Sequence, residues 1–233
     1  MNNYEFIVGM ADLRIRIACQ SEHIQRICAP YIINGTDADF TVETSDGEIA
    51  AEQTGEFGTG YCESVAVYRK IANALPAYNG FVMHGAIIEV NGVGIAFLAK
   101  SGTGKTTHVH LWRDLLGERM TIINGDKPIL RFTDGKCYAY GTPWAGKEGE
   151  QTNKRCVLQK IVFLERGKEN RVDALPYSSS LLRMLPFMYL ENGAITAKAL
   201  KALNSVEKPL KFYRLQCNMD ISAAETAYRS LLG

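Results

Sequence analysis

The chain carries almost no net charge: 26 Lys and Arg stand against 25 Asp and Glu in 233 residues, giving +1 at pH 7. Nucleic acid and anionic membrane surfaces both select basic patches, so neither is expected as a partner. Apolar runs are short, and none approaches the 18 or so residues that a membrane span needs. MNNYEFIVGMADLRIRIAC places Glu5 early and has no basic stretch leading into a long apolar one, so no secretory signal is expected. The six cysteines (Cys19, Cys28, Cys62, Cys137, Cys156, Cys217) include no C-x-x-C, which fits neither a zinc site nor the dense framework of a small secreted domain. Reduced thiols in a cytoplasmic protein are the expectation. Repeats, low-complexity tracts and Pro/Ser-rich linkers are also missing. A chain of this length can bury roughly 70% of its unfolded surface, so one domain, 1–233, with an N-terminal lobe is favoured.

What is present is patterned. YEFIVG and LRIRIA alternate in period two, and SEHIQRICAPYI has helical character opened by Ser21 with Glu22 in its first turn. DFTVETS reads as a third strand ended by an Asp46-Gly47 turn. These segments predict a small α+β lobe over about 1–55. After the glycine-rich break GEFGTGY, a larger core over about 60–233 opens with YCESVAVYRKIANAL, helical in its spacing until Pro76. FVMHGAIIEV and GIAFLA read as strands joined by an Asn91-Gly92 hairpin. TIING, ILRF with an Asp134-Gly135 turn, CYAYGTPW and VLQKIVFLERG follow as strand-like segments. The remainder is mostly helical (SSSLLRMLPFMYL, AITAKALKAL, ISAAETAYRSLL), interrupted by the strand LKFYRLQ.

Between GIAFL and a predicted helix stands AKSGTGKTT, residues 99–107. Gly104, Lys105 and Thr106 fall in register with the phosphate-loop pattern G-x-x-x-x-G-K-[ST], while Ala99 occupies the first glycine position. Gly102 and Gly104 let the backbone turn without an obstructing Cβ, so successive N–H groups can point inward and form an anion-binding nest. The helix starting near Lys105 adds its positive N-terminal end, Lys105 a point charge for β/γ-phosphate oxygens, and the Thr106 hydroxyl a ligand for Mg²⁺. Ser101, Gly102, Thr103, Gly104, Lys105, Thr106 and Thr107 are therefore the expected cradle for ATP with Mg²⁺. His108 and His110, two residues apart, diverge by roughly 200° on a helix and cannot share one metal; they are expected to be structural or solvent-facing.

MHGAIIEVNGVGIAFLAKSGTGKTT followed by TIINGDKPIL resembles the nucleotide-binding core of HPr kinase/phosphorylase, whose phosphate-loop fold is shared with phosphoenolpyruvate carboxykinases. The likeness is best from about Phe81 to Leu130. The SGTGKTT wording is nearer the carboxykinase loop, and His84-Gly85 at its distance from Lys105 looks like HPr kinase. The resemblance implies an α/β fold of that type with a small N-terminal α+β lobe, and makes His84 a residue near the transferred phosphate. It further implies an acidic pair after the second strand, one for metal and one as base toward the acceptor. Here that stretch is Asn124-Gly125-Asp126, and Asp126 alone is acidic.

One carboxylate must then serve both purposes, or another must be recruited. GTPWAGKEGEQTN, with three glycines and Pro143, reads as a long loop of the kind that carries function. Its Lys147 is expected to steady the γ-phosphoryl charge and Glu148 to replace the missing acid; Lys154 and Arg155 are further candidates for a cation. The reading that follows is an ATP-dependent kinase, with Thr106 and Asp126 on the metal. Its acceptor would be a hydroxyl, a serine or threonine by the resemblance, on a small protein, peptide or metabolite. A nucleotide-binding regulator without turnover is the alternative, supported by Ala99 and the single acid. A carboxykinase-like lyase fits less well, since no arginine motif for a dicarboxylate is present.

Overall fold

A computed structural model of the chain describes residues 4–233; Met1 to Asn3, which begin the stretch expected to hold no leader, lie outside the described residues. The chain divides into two compact units, Met1–Tyr78 and Asn79–Gly233.

In the first unit, β1 (Tyr4–Met10) and β2 (Leu13–Cys19) form a hairpin around Ala11 and Asp12, both at positive φ. Next come α1 (Glu22–Cys28), β3 (Ile32–Ile33), β4 (Phe40–Glu43), α2 (Asp46–Ala51) and α3 (Thr59–Ala74), with sheet order β3-β1-β2-β4. Ser21 caps α1 as its sequence suggests, its hydroxyl accepting the His23 N–H at 3.1 Å. Two expectations are corrected. Asp46-Gly47 does not end a strand but opens α2: Ser45 and Glu48 form a reciprocal capping box, which satisfies the helix-start N–H groups better than a bare turn does. The helix α3, expected to begin the larger core, packs on α1, α2 and β4 within the first unit. Its Glu63, 1% exposed, accepts the N–H groups of Gln20 and Ser21 and the Thr44 hydroxyl at 2.7–2.8 Å, so both oxygens of a buried carboxyl group find donors, in the segments that follow β2 and β4.

The second unit is a mixed α/β structure. Its elements are β5 (Gly80–Val82), β6 (Ala86–Val90), β7 (Val93–Leu98), α4 (Lys105–Leu116), β8 (Met120–Asn124), β9 (Ile129–Thr133) and β10 (Lys136–Tyr140). They are followed by β11 (Arg155–Arg166), β12 (Arg171–Leu175), α5 (Tyr177–Met184), α6 (Gly193–Asn204), β13 (Lys211–Cys217) and α7 (Ile221–Leu232). The sheet runs β5-β9-β10-β11-β7-β6-β8, with β13 also on β11 and β12 on β13. The long β11 makes this branching possible: its first residues pair antiparallel with β10, and its remainder runs parallel to β7 on one side and β13 on the other. Both expected hairpin turns form with two residues, and Asn91, Gly92, Asp134 and Gly135 all have positive φ. The edge strand β12 had too short an apolar run, VDAL, to stand out in the sequence.

Strand alternation distributes the core to both faces. On β7, Ile95 and Phe97 join the apolar cluster under α4 and α7, while Ala96 and Leu98 join the cluster covered by α5 and α6. Helices on both faces of a buried central strand explain why GIAFL is apolar throughout rather than alternating with polar residues. All six cysteines are free, and five are buried with Cys217 partly exposed. Among the described residues, no helix is long and apolar enough to cross a membrane.

Candidate functional site

Leu98 ends β7 and Ala99, 3% exposed, is still part of the core. A side chain at that position therefore packs inward, away from the turn that follows. Gly102 (φ 74°) and Gly104 (φ 117°) take backbone conformations that side-chain-bearing residues rarely adopt. Gly104 is the N-cap of α4 and no side chain caps that helix, so its first N–H groups have no side-chain acceptor. Arg166 at the end of β11 donates to the carbonyl oxygens of Gly102 (2.6 Å) and Thr103 (3.4 Å), fixing the turn against the neighbouring parallel strand. Nothing local marks Arg166, which closes a strand-like run like many surface arginines.

The turn opens on a cavity of about 640 Å³. Ser101, Gly102, Gly104, Lys105, Thr106 and Thr107 line it, as do His84, Asp126, Lys147 and Glu148 from three other segments; Thr103 alone of the expected cradle does not. Ten of the thirteen residues singled out from the sequence thus meet at one cavity, although they are spread over 65 positions of chain from 84 to 148. Lys154 and Arg155 are not among the lining residues; Arg155 instead lies over the Tyr138 ring, 4.6 Å from its centroid.

His84 reaches the cavity because the expected strand FVMHGAIIEV breaks. Its N–H donates to the Phe187 carbonyl (2.6 Å), and the Gly85 N–H donates to the Asp126 carbonyl (2.8 Å). A Cβ on Gly85 would come within 2.5 Å of the Leu98 side chain and 3.2 Å of the Phe97 carbonyl oxygen, so glycine lets this segment lie close against β7. Asp126 is presented by Asn124. That amide is wholly buried; its Oδ1 accepts the N–H groups of Asp126 (2.8 Å) and Lys127 (2.7 Å), and its Nδ2 donates to Thr142. The residue standing where the resemblance implies a second acid is therefore a clamp for the turn.

Asp126 Oδ1 lies 3.1 Å from His84 Nε2, and Lys127 Nζ is 3.8 Å from Oδ2. Burial opposes ionisation of Asp126, but the hydrogen bond from His84 and the charges of Lys127, His84 and Lys105 outweigh it and hold the carboxyl below its usual range. Burial lowers the Lys105 ammonium from its ordinary value, opposed by the charge of Asp126. Lys105 Nζ is also 3.4 Å from His84 Nε2. That nitrogen either donates to Asp126 or accepts from Lys105; when it donates, the ammonium is available to another anion.

Lys147 and Glu148 are exposed on the rim. The loop bearing them is anchored by Glu150, which accepts from His110 Nε2 (2.9 Å) and from Arg113, both on α4, while its carbonyl oxygen accepts the Gly125 N–H (2.9 Å). Glu150 was not foreseen: nothing in the sequence says that His110 and Arg113, one turn apart on the helix, face the loop.

His108 proves structural. It is 2% exposed, and its Nε2 lies 2.9 Å from Trp112 Nε1, which can only donate, so the ring is neutral with its proton on Nδ1. Burial pushes its pKa down to about 4 from 6.5. An unfolded histidine binds a proton below about 6.5 and the folded one resists until about 4, so the second unit should lose stability as pH falls through that window, by about 1.4 kcal/mol per unit and about 3 kcal/mol in all. Denaturant titrations followed by tryptophan fluorescence between pH 7 and 4 would measure it. His108→Gln should flatten this dependence, and an unchanged slope in that variant would refute the assignment.

No family model and no curated protein matches the chain. Among solved structures it is similar to the Hpr(Ser) kinase/phosphatase from Coxiella burnetii, with a TM-score of 0.36 and 8% identity over 65% of this chain and 90% of that one. At that level the likeness carries no argument about activity, and the functional reading rests on the site itself.

Proposed function

We propose that the chain is an ATP-dependent kinase with a phosphate-loop core, transferring the γ-phosphoryl group to a hydroxyl on a small protein, peptide or metabolite. The observation that carries this reading is the meeting of Lys105, His84 and Asp126 at the mouth of an uncapped glycine turn on a helix start. N–H groups of the turn and of α4 hold the phosphates, and Lys105 supplies the charge that offsets their β/γ oxygens. His84 donates to Asp126 and so leaves Lys105 to the nucleotide. Lys147, on the rim, faces the outgoing phosphoryl charge, and Glu148 meets the acceptor hydroxyl as it arrives from solvent.

Among the described residues no group of three or more His, Cys, Asp or Glu could hold a metal ion. That suits Mg²⁺, which takes one or two protein oxygens together with substrate phosphates and water rather than an all-protein cage. Thr106 and an ionised Asp126 on one cavity provide such a pair. When bound, the ion would neutralise charge on the β- and γ-phosphates. The protein's share is positioning and electrostatics.

A second reading, a nucleotide-binding regulator without turnover, is favoured by Asn124, whose buried amide leaves Asp126 without an acidic partner. Transfer of ³²P from γ-labelled ATP onto candidate peptides and hydroxyl metabolites separates the two readings: the kinase labels an acceptor, the regulator binds ATP and labels none. In either case Lys105→Ala should weaken ATP binding roughly tenfold or more, by loss of a charge-assisted contact worth about 1.5–3 kcal/mol. Unchanged affinity by calorimetry in the folded variant would remove the phosphate-loop assignment.

A further inference from the structure

The glycine turn has a second side. A cavity of about 490 Å³ lies next to it and shares Gly104 and Thr107 with the first, adding Thr103. Its walls include Leu111 of α4, Leu164 of β11 and the segment from Cys217, the last residue of β13, to Met219. The two cavities differ in chemistry. The first is rich in ionic side chains, among them Lys100, Lys105, Asp126 and Lys127, whereas the surface of the second is mostly apolar, with Glu165 and Arg166 its charged groups and Thr103, Thr107, His108 and Asn218 its other polar ones. Met219 stands at that edge 73% exposed, an unusual position for a long apolar side chain. His108 forms part of the wall, and its Nδ1 is buried with no partner in the protein, although buried donors are nearly always satisfied.

We propose that this second cavity takes the nucleoside half of the nucleotide, its base against Leu111, Leu164 and Met219, with the phosphates passing Gly104 into the cradle. The inference rests on the phosphate reading of the glycine turn and extends it. A purine has large apolar faces and a polar edge, so it gains from an apolar slot and would lose in the ionic first cavity, where charged groups would have to be desolvated. Continuity fixes the occupant, because the same turn borders both cavities. Arg166 ties the turn to the end of β11, which also supplies the apolar wall, so the two halves of the ligand meet a single rigid frame.

Cys217 offers a direct probe, because it lines this cavity and the other five cysteines are buried. The full chain is treated with a maleimide, and modification of Cys217 is followed by peptide mass spectrometry with no addition, with ATP, and with inorganic tripolyphosphate, which can fill only the phosphate cradle. ATP should slow labelling of Cys217 tenfold or more and tripolyphosphate should not. ATP should also bind at least tenfold more tightly than tripolyphosphate by calorimetry. Met219→Asp, an exposed position tolerant of change, should weaken ATP about tenfold and leave tripolyphosphate unaffected. Equal affinities with Cys217 unprotected by ATP would overturn the nucleoside cavity while leaving the phosphate cradle standing. Failure of both ligands to bind would overturn the two together.

Discussion

Asp126→Asn should remove phosphoryl transfer, lowering turnover by about 10³-fold or more, the scale of losing one essential electrostatic or acid–base group. The change is close to a pure removal of charge. The Asp126 backbone keeps its bonds to Gly85 and to the Asn124 amide, and an asparagine oxygen can still accept from His84. Mg²⁺ should feel the difference most, since a hard cation gains little from a neutral amide. ATP affinity measured over a Mg²⁺ titration should accordingly lose much of its metal dependence in the variant. The neighbouring Asn124 provides the contrast: Asn124→Ala deletes the buried bonds that shape the turn, and should lower the melting temperature before it says anything about chemistry. A folded Asp126→Asn protein that retains transfer and Mg²⁺ dependence would rule Asp126 out as the metal ligand.

How far the site could be read in advance follows from the range of the interactions that make it. The glycine turn was legible because its determinants are local: an apolar strand, two glycines at positive φ, and a lysine opening a helix lie within one short stretch. The Asn91-Gly92 and Asp134-Gly135 hairpins were legible for the same reason. Asp46-Gly47 misled because the same dipeptide can start a helix when Ser45 and Glu48 stand around it, and the capping signal outweighed the turn signal. Long-range pairings left no local trace. Arg166 reaches the turn across 64 positions and Glu150 reaches Arg113 across 37, and neither spacing is periodic in anything. The branching of the sheet at β11 was hidden likewise, since a 12-residue strand does not state which partners share its two edges. His84 and Asp126 were foreseen only through the family resemblance; the reason they meet, a glycine against Leu98 and an amide clamp at Asn124, became visible in three dimensions.

Glu148→Gln should lower kcat by about 10²- to 10⁴-fold with ATP affinity nearly unchanged, the pattern expected when a group acts on the acceptor and not on the nucleotide. Its place in the structure gives that expectation a physical basis. The Asp126 carboxylate, 23% exposed and bonded to His84, is partly screened from solvent, whereas Glu148 stands exposed on the rim of the same cavity, where an acceptor hydroxyl must arrive. Gly146 and Gly149 flank it at positive φ, so the loop turns sharply on both sides of the Lys147-Glu148 pair, while Glu150 ties the loop to α4. The pair is thus carried on a short tip with a fixed base. Glu150→Gln separates tip from base: by loosening the anchor it should raise KM for the acceptor and lower kcat together, whereas Glu148→Gln should leave KM for ATP in place and act on kcat. Steady-state kinetics on an acceptor identified by ³²P transfer would distinguish them. Full transfer by Glu148→Gln would leave His84 and Asp126 to activate the hydroxyl without it, and the loop would then serve as a cover for the cavity.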